Sequence, residues 1–234
     1  CIDFFRPSNY FLYIIFSVTY SRKNKLHGGV MFMPILPGIG DTEDNIKEIV
    51  RRSKEVNAEF ILAGVLTLKP GRNKIEYLKV INIHYKHLLA LYGEIYGNND
   101  KFGIPDTKSD QIVNIYSLVH EYCHKNGIPD RMPRYIPPGV HYTNYLVSTV
   151  LQNLEFYYKW VKDYPSKLFS SYRRVATEIE SYHKNIRELK GNELKTLFKI
   201  SNELLDIITE IIEIGKSSHL SEFLDYDKVT VKTI

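Results

Sequence analysis

The sequence predicts an α/β chain, a partial (β/α) barrel followed by a largely helical C-terminal region. Three observations carry that prediction. Residues 28–67, GGVMFMPILPGIGDTEDNIKEIVRRSKEVNAEFILAGVLT, read as one strand-turn-helix-strand unit. A proline-rich crossing, RMPRYIPPGVHYTN, spans 131–144. From Tyr145 onward the apolar residues recur at helical spacing.

Taken in order, residues 1–26 are aromatic and β-branched, and their composition predicts a strand over 10–20. The apolar run at 10–18 is far short of the roughly 20 residues that cross a bilayer. Val30, Met31, Phe32 and Met33 form the uninterrupted apolar run of a parallel strand buried on both faces. Pro34, Pro37, Gly38 and Gly40 stop it. The following helix can be capped by Asp41 or Thr42, carries Glu43 and Asp44 in its first turn, and has an apolar stripe of Ile46, Ile49, Val50 and Val56. A second strand lies within 60–66, and a turn at 68–73 leads to a single long helix over 74–96. The next helix runs from Asp106 or Thr107 to Lys125, with Gly127 and Pro129 placed to end it. Helical segments then cover 145–164, 165–189 and 191–215.

Composition bounds the function. The 234 residues are 44% apolar, enough for one good core with a helical appendage. Thirty-one basic against 27 acidic residues give a net charge of +4, too little to argue for nucleic acid or an anionic membrane. Two distant cysteines, Cys1 and Cys123, make no disulfide framework, so a reducing cytoplasm is the expected compartment.

The PILPGIGDTEDNI segment at 34–46 resembles the radical S-adenosylmethionine (radical SAM) enzymes, specifically their spore photoproduct lyase-like branch. In that branch a strand ends in a Pro-x-x-Pro-Gly turn followed by an acidic helix cap. The GIPDRMPRYIP crossing and the VSTVLQNLEFYY helix are similar to the C-terminal part of archaeal members. The resemblance runs over 27–164 and is strongest at 28–67. It implies an S-adenosylmethionine held at the strand ends beside a 4Fe-4S cluster, which cleaves it reductively to a 5'-deoxyadenosyl radical. Ile35, Pro37 and Gly38 are the positions it implies for adenine contact, with Gly64 and Val65 on the next strand. It assigns no catalytic residue, and the substrate is not specified. The family binds its cluster through CxxxCxxC, and two cysteines cannot supply three thiolates. The reading therefore expects a truncated chain, inactive alone, and a partner polypeptide carrying the first strands and the cluster loop. The corresponding division is an atypical segment at 1–26, a partial barrel and extension at 27–164, and a helical hairpin with tail at 165–234.

Two other classes stay open. His120, Glu121, His124, Gly127 and Asp130 spell HExxHxxGxxD. On a helix His120 and His124 share a face and can bind one zinc ion, Glu121 can act as base, and Asp130 can be a third ligand. The plainer reading is a solvated helix end. The third class is a non-enzymatic remnant or binding module. Arg51 with Arg52, Arg131 and Arg134 beside Tyr135, and Arg173 and Arg174 beside Tyr172 are candidate phosphate and stacking contacts, although each is more simply a solvated element end. The apolar face running from Leu194 through Ile214 reads as core, or as a surface for self-association.

Overall fold

A computed structural model describes residues 9–97, 101–106 and 109–231, and the chain divides into two compact units, Cys1–Asp130 and Arg131–Ile234. The molecule mixes helix and strand and is mostly helical. Among the described residues each of its two sheets has two strands.

The first unit contains α1 (Asn9–Lys23), β1 (Val30–Ile35), α2 (Glu43–Glu55), β2 (Ile61–Val65), α3 (Arg72–His84), α4 (Leu89–Tyr96) and α5 (Asp110–Lys125). β1 and β2 are parallel, with Val30 opposite Ile61, Phe32 opposite Ala63 and Ile35 opposite Val65. The register is irregular between Phe32 and Ile35, where Pro34 has no N–H to give a ladder. α2 makes the crossover that a parallel pair requires. Its buried Ile46 and Val50 come from the predicted stripe, and α5 packs on both α2 and β2 through a face containing Ile112, Ile115 and Val119.

Several expectations are corrected or narrowed here. Residues 10–20 are helical, as part of α1. A helix pairs its own backbone groups, whereas a strand there would need a neighbour; β propensity yields to that requirement. The end of α1 is tied to the start of β2 through Glu59, which accepts from Arg22 Nη1 and from the Gly28 N–H and lies 2.9 Å from His27 Nδ1. β1 is not buried on both faces: Val30 and Ile35 are enclosed, but Met31 and Met33 are 50% and 42% exposed. It also continues through Pro34 to Ile35. The predicted helix at 74–96 is two helices, broken at Tyr85 and a 3-10 turn at Lys86–Leu88. The break lets α4 fold against α3, so that Tyr77 and Tyr92 join by their hydroxyls at 2.9 Å. Finally, the α2 cap is Thr42, whose Oγ1 accepts from the Asn45 N–H; Asp41 is buried and accepts from Gln111 Nε2 on α5.

Gly127 ends α5 in the left-handed region at φ 64°, with its own N–H and that of Ile128 on the carbonyls of His124 and Cys123. The start predicted for that helix, at 106 or 107, precedes the observed Asp110, and Thr107 lies outside the described residues.

The second unit contains β3 (Arg134–Tyr135), α6 (Tyr142–Trp160), α7 (Tyr172–Glu180), α8 (Gly191–Phe198), α9 (Asn202–Ile214), α10 (Ser218–Ser221) and β4 (Thr230–Val231), with β3 parallel to β4. Its core runs from Ile136 to Val229 and draws on every helix from α6 to α10. The main partner of α6 is α7. Within 165–189, predicted as one helix, regular α-helix is limited to α7. The helix predicted over 191–215 breaks at Lys199, at φ 50°, and restarts with Ser201 capping Leu204. Leu194, Phe198, Leu204, Ile207, Ile208 and Ile211 enter the core, leaving Leu197 and Ile214 exposed.

Candidate functional site

The C-terminal ends of β1 and β2 are where a parallel strand pair presents a ligand. Ile35, Pro37 and Val65 are buried there, Gly64 is half-buried and Gly38 is exposed. The Ile35 carbonyl accepts from Leu66 N–H, and the Val65 N–H reaches the Tyr116 hydroxyl at 3.4 Å. These three residues form a floor. Gly64 and Val65 occupy opposite faces, as strand alternation requires. Gly64 shares the open face with Met33, whose Cε lies 3.0 Å from where a Gly64 Cβ would stand. Gly38 has φ 75°, and an added Cβ would meet Leu88 Cδ2 at 2.7 Å.

Behind the strand ends lies a tyrosine cluster that the sequence reading missed. Tyr92 stands between Tyr77 and Tyr96, with ring centroids 5.6 and 5.8 Å away. Tyr96 donates to the Leu66 carbonyl at 2.6 Å. Burial pushes all three phenols above their ordinary value, so they stay protonated. The i,i+4 spacing of Tyr92 and Tyr96 was the available signal.

The HExxH residues lie on the last turns of α5. His120 Nδ1 contacts Asp130 Oδ2 at 3.0 Å, so Asp130 is a partner of His120. His124 is exposed, with its ring 5.9 Å from that of His120. Glu121 pairs with Lys125. Among the described residues no group of three or more His, Cys, Asp or Glu is placed to hold a metal ion. Cys123 is fully buried, and burial pushes its thiol well above the ordinary range.

The basic residues separate into different surroundings. Arg51 and Arg52 pair with Glu48 on α2. Arg174 bonds Glu178 and the Phe198 carbonyl, and Tyr172 is buried. Arg131, Arg134 and Arg173, however, line two adjoining hollows of the second unit, of about 500 and 330 Å³, which share Arg131 and Gln152. Arg131 lies 4.2 Å over the Phe156 ring and donates from Nε to Asn153 Oδ1 at 3.1 Å. Arg134 forms a two-pronged pair with Glu180, at 2.9 and 2.7 Å, and Ser148 donates to the same carboxylate. Arg134 holds Glu180 below the usual carboxylate range. Arg173 bonds Glu155 at 2.9 Å while its side chain remains 75% exposed. The missed signal was polar: Ser148, Thr149, Gln152 and Asn153 recur at helical spacing in the middle of α6, among Leu146, Val147, Val150, Leu151 and Leu154.

No protein-family model, no curated protein and no solved structure matches this chain. No described helix is long and apolar enough to cross a membrane.

Proposed function

We propose that this chain contributes part of a radical SAM protein of the spore photoproduct lyase-like branch, with β1 and β2 as neighbouring strands of its barrel. The family reaction is reductive cleavage of S-adenosylmethionine to a 5'-deoxyadenosyl radical, on a substrate this chain does not identify. The observation that carries the reading is the parallel β1-α2-β2 unit, with the Pro-Gly turn directly after β1. The exposed Met31 and Met33 add support, since that face of a barrel strand would point to the lumen.

The chain's thiols do not fit the cluster. Three thiolates are needed; Cys123 is enclosed and held protonated by burial, and Cys1 lies outside the described residues. The electron that cleaves the sulfonium comes from the cluster, so that step needs a CxxxCxxC segment that residues 1–234 do not contain. What fits S-adenosylmethionine here is the accessible backbone at Gly38 and Gly64, above the floor of Ile35, Pro37 and Val65.

The test is saturation-transfer NMR of the full chain with S-adenosylmethionine, alongside iron and zinc analysis of anaerobically purified protein. Transfer to the adenosyl protons, lost in Gly64→Leu, is the expected result. Anaerobic mixing with a reconstituted CxxxCxxC polypeptide and reductant should then release 5'-deoxyadenosine. Stoichiometric zinc lost in His120→Ala would overturn this in favour of a zinc hydrolase using His120, Glu121, His124 and Asp130. Neither metal nor S-adenosylmethionine binding would leave a non-enzymatic module.

A further inference from the structure

The rest of the chain treats the two edges of the β1–β2 pair differently. On the outer side of β2 the Ile61 N–H donates to the Pro129 carbonyl at 2.8 Å and the Val65 N–H to the Tyr116 hydroxyl at 3.4 Å, so that edge is closed by the chain's own groups. On the β1 side the Gly28 carbonyl accepts from the Glu59 N–H and the Val30 N–H donates to the Phe60 carbonyl, which turns both residues towards β2. Strand alternation then turns the N–H and C=O of Gly29 and Met31 outward. Among the described residues no group outside the β1–β2 ladder takes them up. The charged residues that usually guard such an edge are missing, since residues 28–39, GGVMFMPILPGI, carry no charge. Pro34 comes only after these outward groups. Met31 and Met33 stand beside them, 50% and 42% exposed, on the sheet face opposite the enclosed Val30.

What fits this edge is the same edge of a second copy. A two-fold axis beside Met31 sets the strands antiparallel, so that Met31 exchanges N–H···O=C bonds with the partner's Met31 and Gly29 stands against the partner's Met33. Groups near such an axis meet their own kind, so a charged strand would repel itself and this uncharged one does not. Gly29 has no side chain, which leaves room for the partner's Met33, and the flexible thioethers adapt to one another on the shared face. We infer that the chain self-associates through the outer edge of β1, the two β1–β2 pairs joining into one continuous sheet. This goes beyond the radical SAM reading: a further barrel strand would need the same edge, so the pair is the form that the chain takes without one.

The test is sedimentation equilibrium of the full chain from about 5 to 200 µM, where a reversible dimer is expected. Met31→Lys, at a half-exposed side chain, should raise the dissociation constant at least about tenfold with an unchanged melting temperature, because the two added ammonium groups face each other across the axis. Leu197→Lys, on an exposed position of α8, should leave the dimer intact. A filtered NOE between methionine methyl groups of labelled and unlabelled copies reads the same contact in the unaltered protein. A monomer at every concentration would overturn the inference, and a Met31 amide protected from hydrogen exchange in that monomer would give the edge to another segment of the same chain. A dimer that survives Met31→Lys would overturn it too, and its loss in Leu197→Lys would move the contact to α8.

Discussion

Asn144 shows how much one side chain can hold. It is fully buried on α6, accepts from the Ile186 N–H at 2.9 Å, and donates towards the carbonyls of Ile179, Tyr182 and Lys184. It thereby closes the end of α7 and the following turn onto α6. Asn144→Ala would strand these backbone groups in the core and should cost about 3 kcal/mol, read as a lower urea midpoint by circular dichroism. From sequence, Asn144 is simply a polar residue near a helix start; its role depends on a loop some 40 residues later. Asp41 is the same lesson in the first unit. Local rules make it a cap as good as Thr42, but Gln111 claims its carboxylate, and the cap falls to Thr42.

Between elements, the Arg134–Glu180 pair joins the start of β3 to the end of α7, and both side chains are about one-third exposed. Glu180 titrates below the ordinary carboxylate value of 4.5, chiefly through its bonds to Arg134. A depressed folded value means that the stabilisation is present above about pH 4.5 and is lost as the pH falls through the lower, folded value. Glu180→Gln should therefore flatten the acid limb of stability against pH below about 5, by no more than about 1 kcal/mol at this exposure. Denaturant midpoints from pH 3 to 7 check it. Element ends were legible where a residue type dictates them, as at Gly127. The break at Tyr85 was not, because neither glycine nor proline marks it; it follows from Leu88 packing at the Gly38 turn and Tyr92 meeting Tyr77.

At the scale of the molecule, the main hydrophobic cluster lies wholly between Ile136 and Val229. Arg131–Ile234 therefore owns its core, and a chain of just these residues should keep its helical circular dichroism and melt cooperatively. A featureless melt would show that the core needs residues outside the unit. α6 buries residues around most of its circumference, and α7, α9 and α10 pack against it.

The strand-helix-strand unit at 28–67, its proline-glycine turn, the end of α5 and the helical character of the second half were legible in the residues alone. These are set by periodicity and backbone-restricted residues within a few turns of one another. That α1 is a helix, that one face of β1 stays open and that His120 pairs with Asp130 came from packing in three dimensions. It alone gathered Arg131, Arg134 and Arg173 along one groove while sending Arg174 elsewhere. Each of those outcomes depends on which distant side chains and backbone groups compete for the same partner, and a local pattern carries no record of that competition.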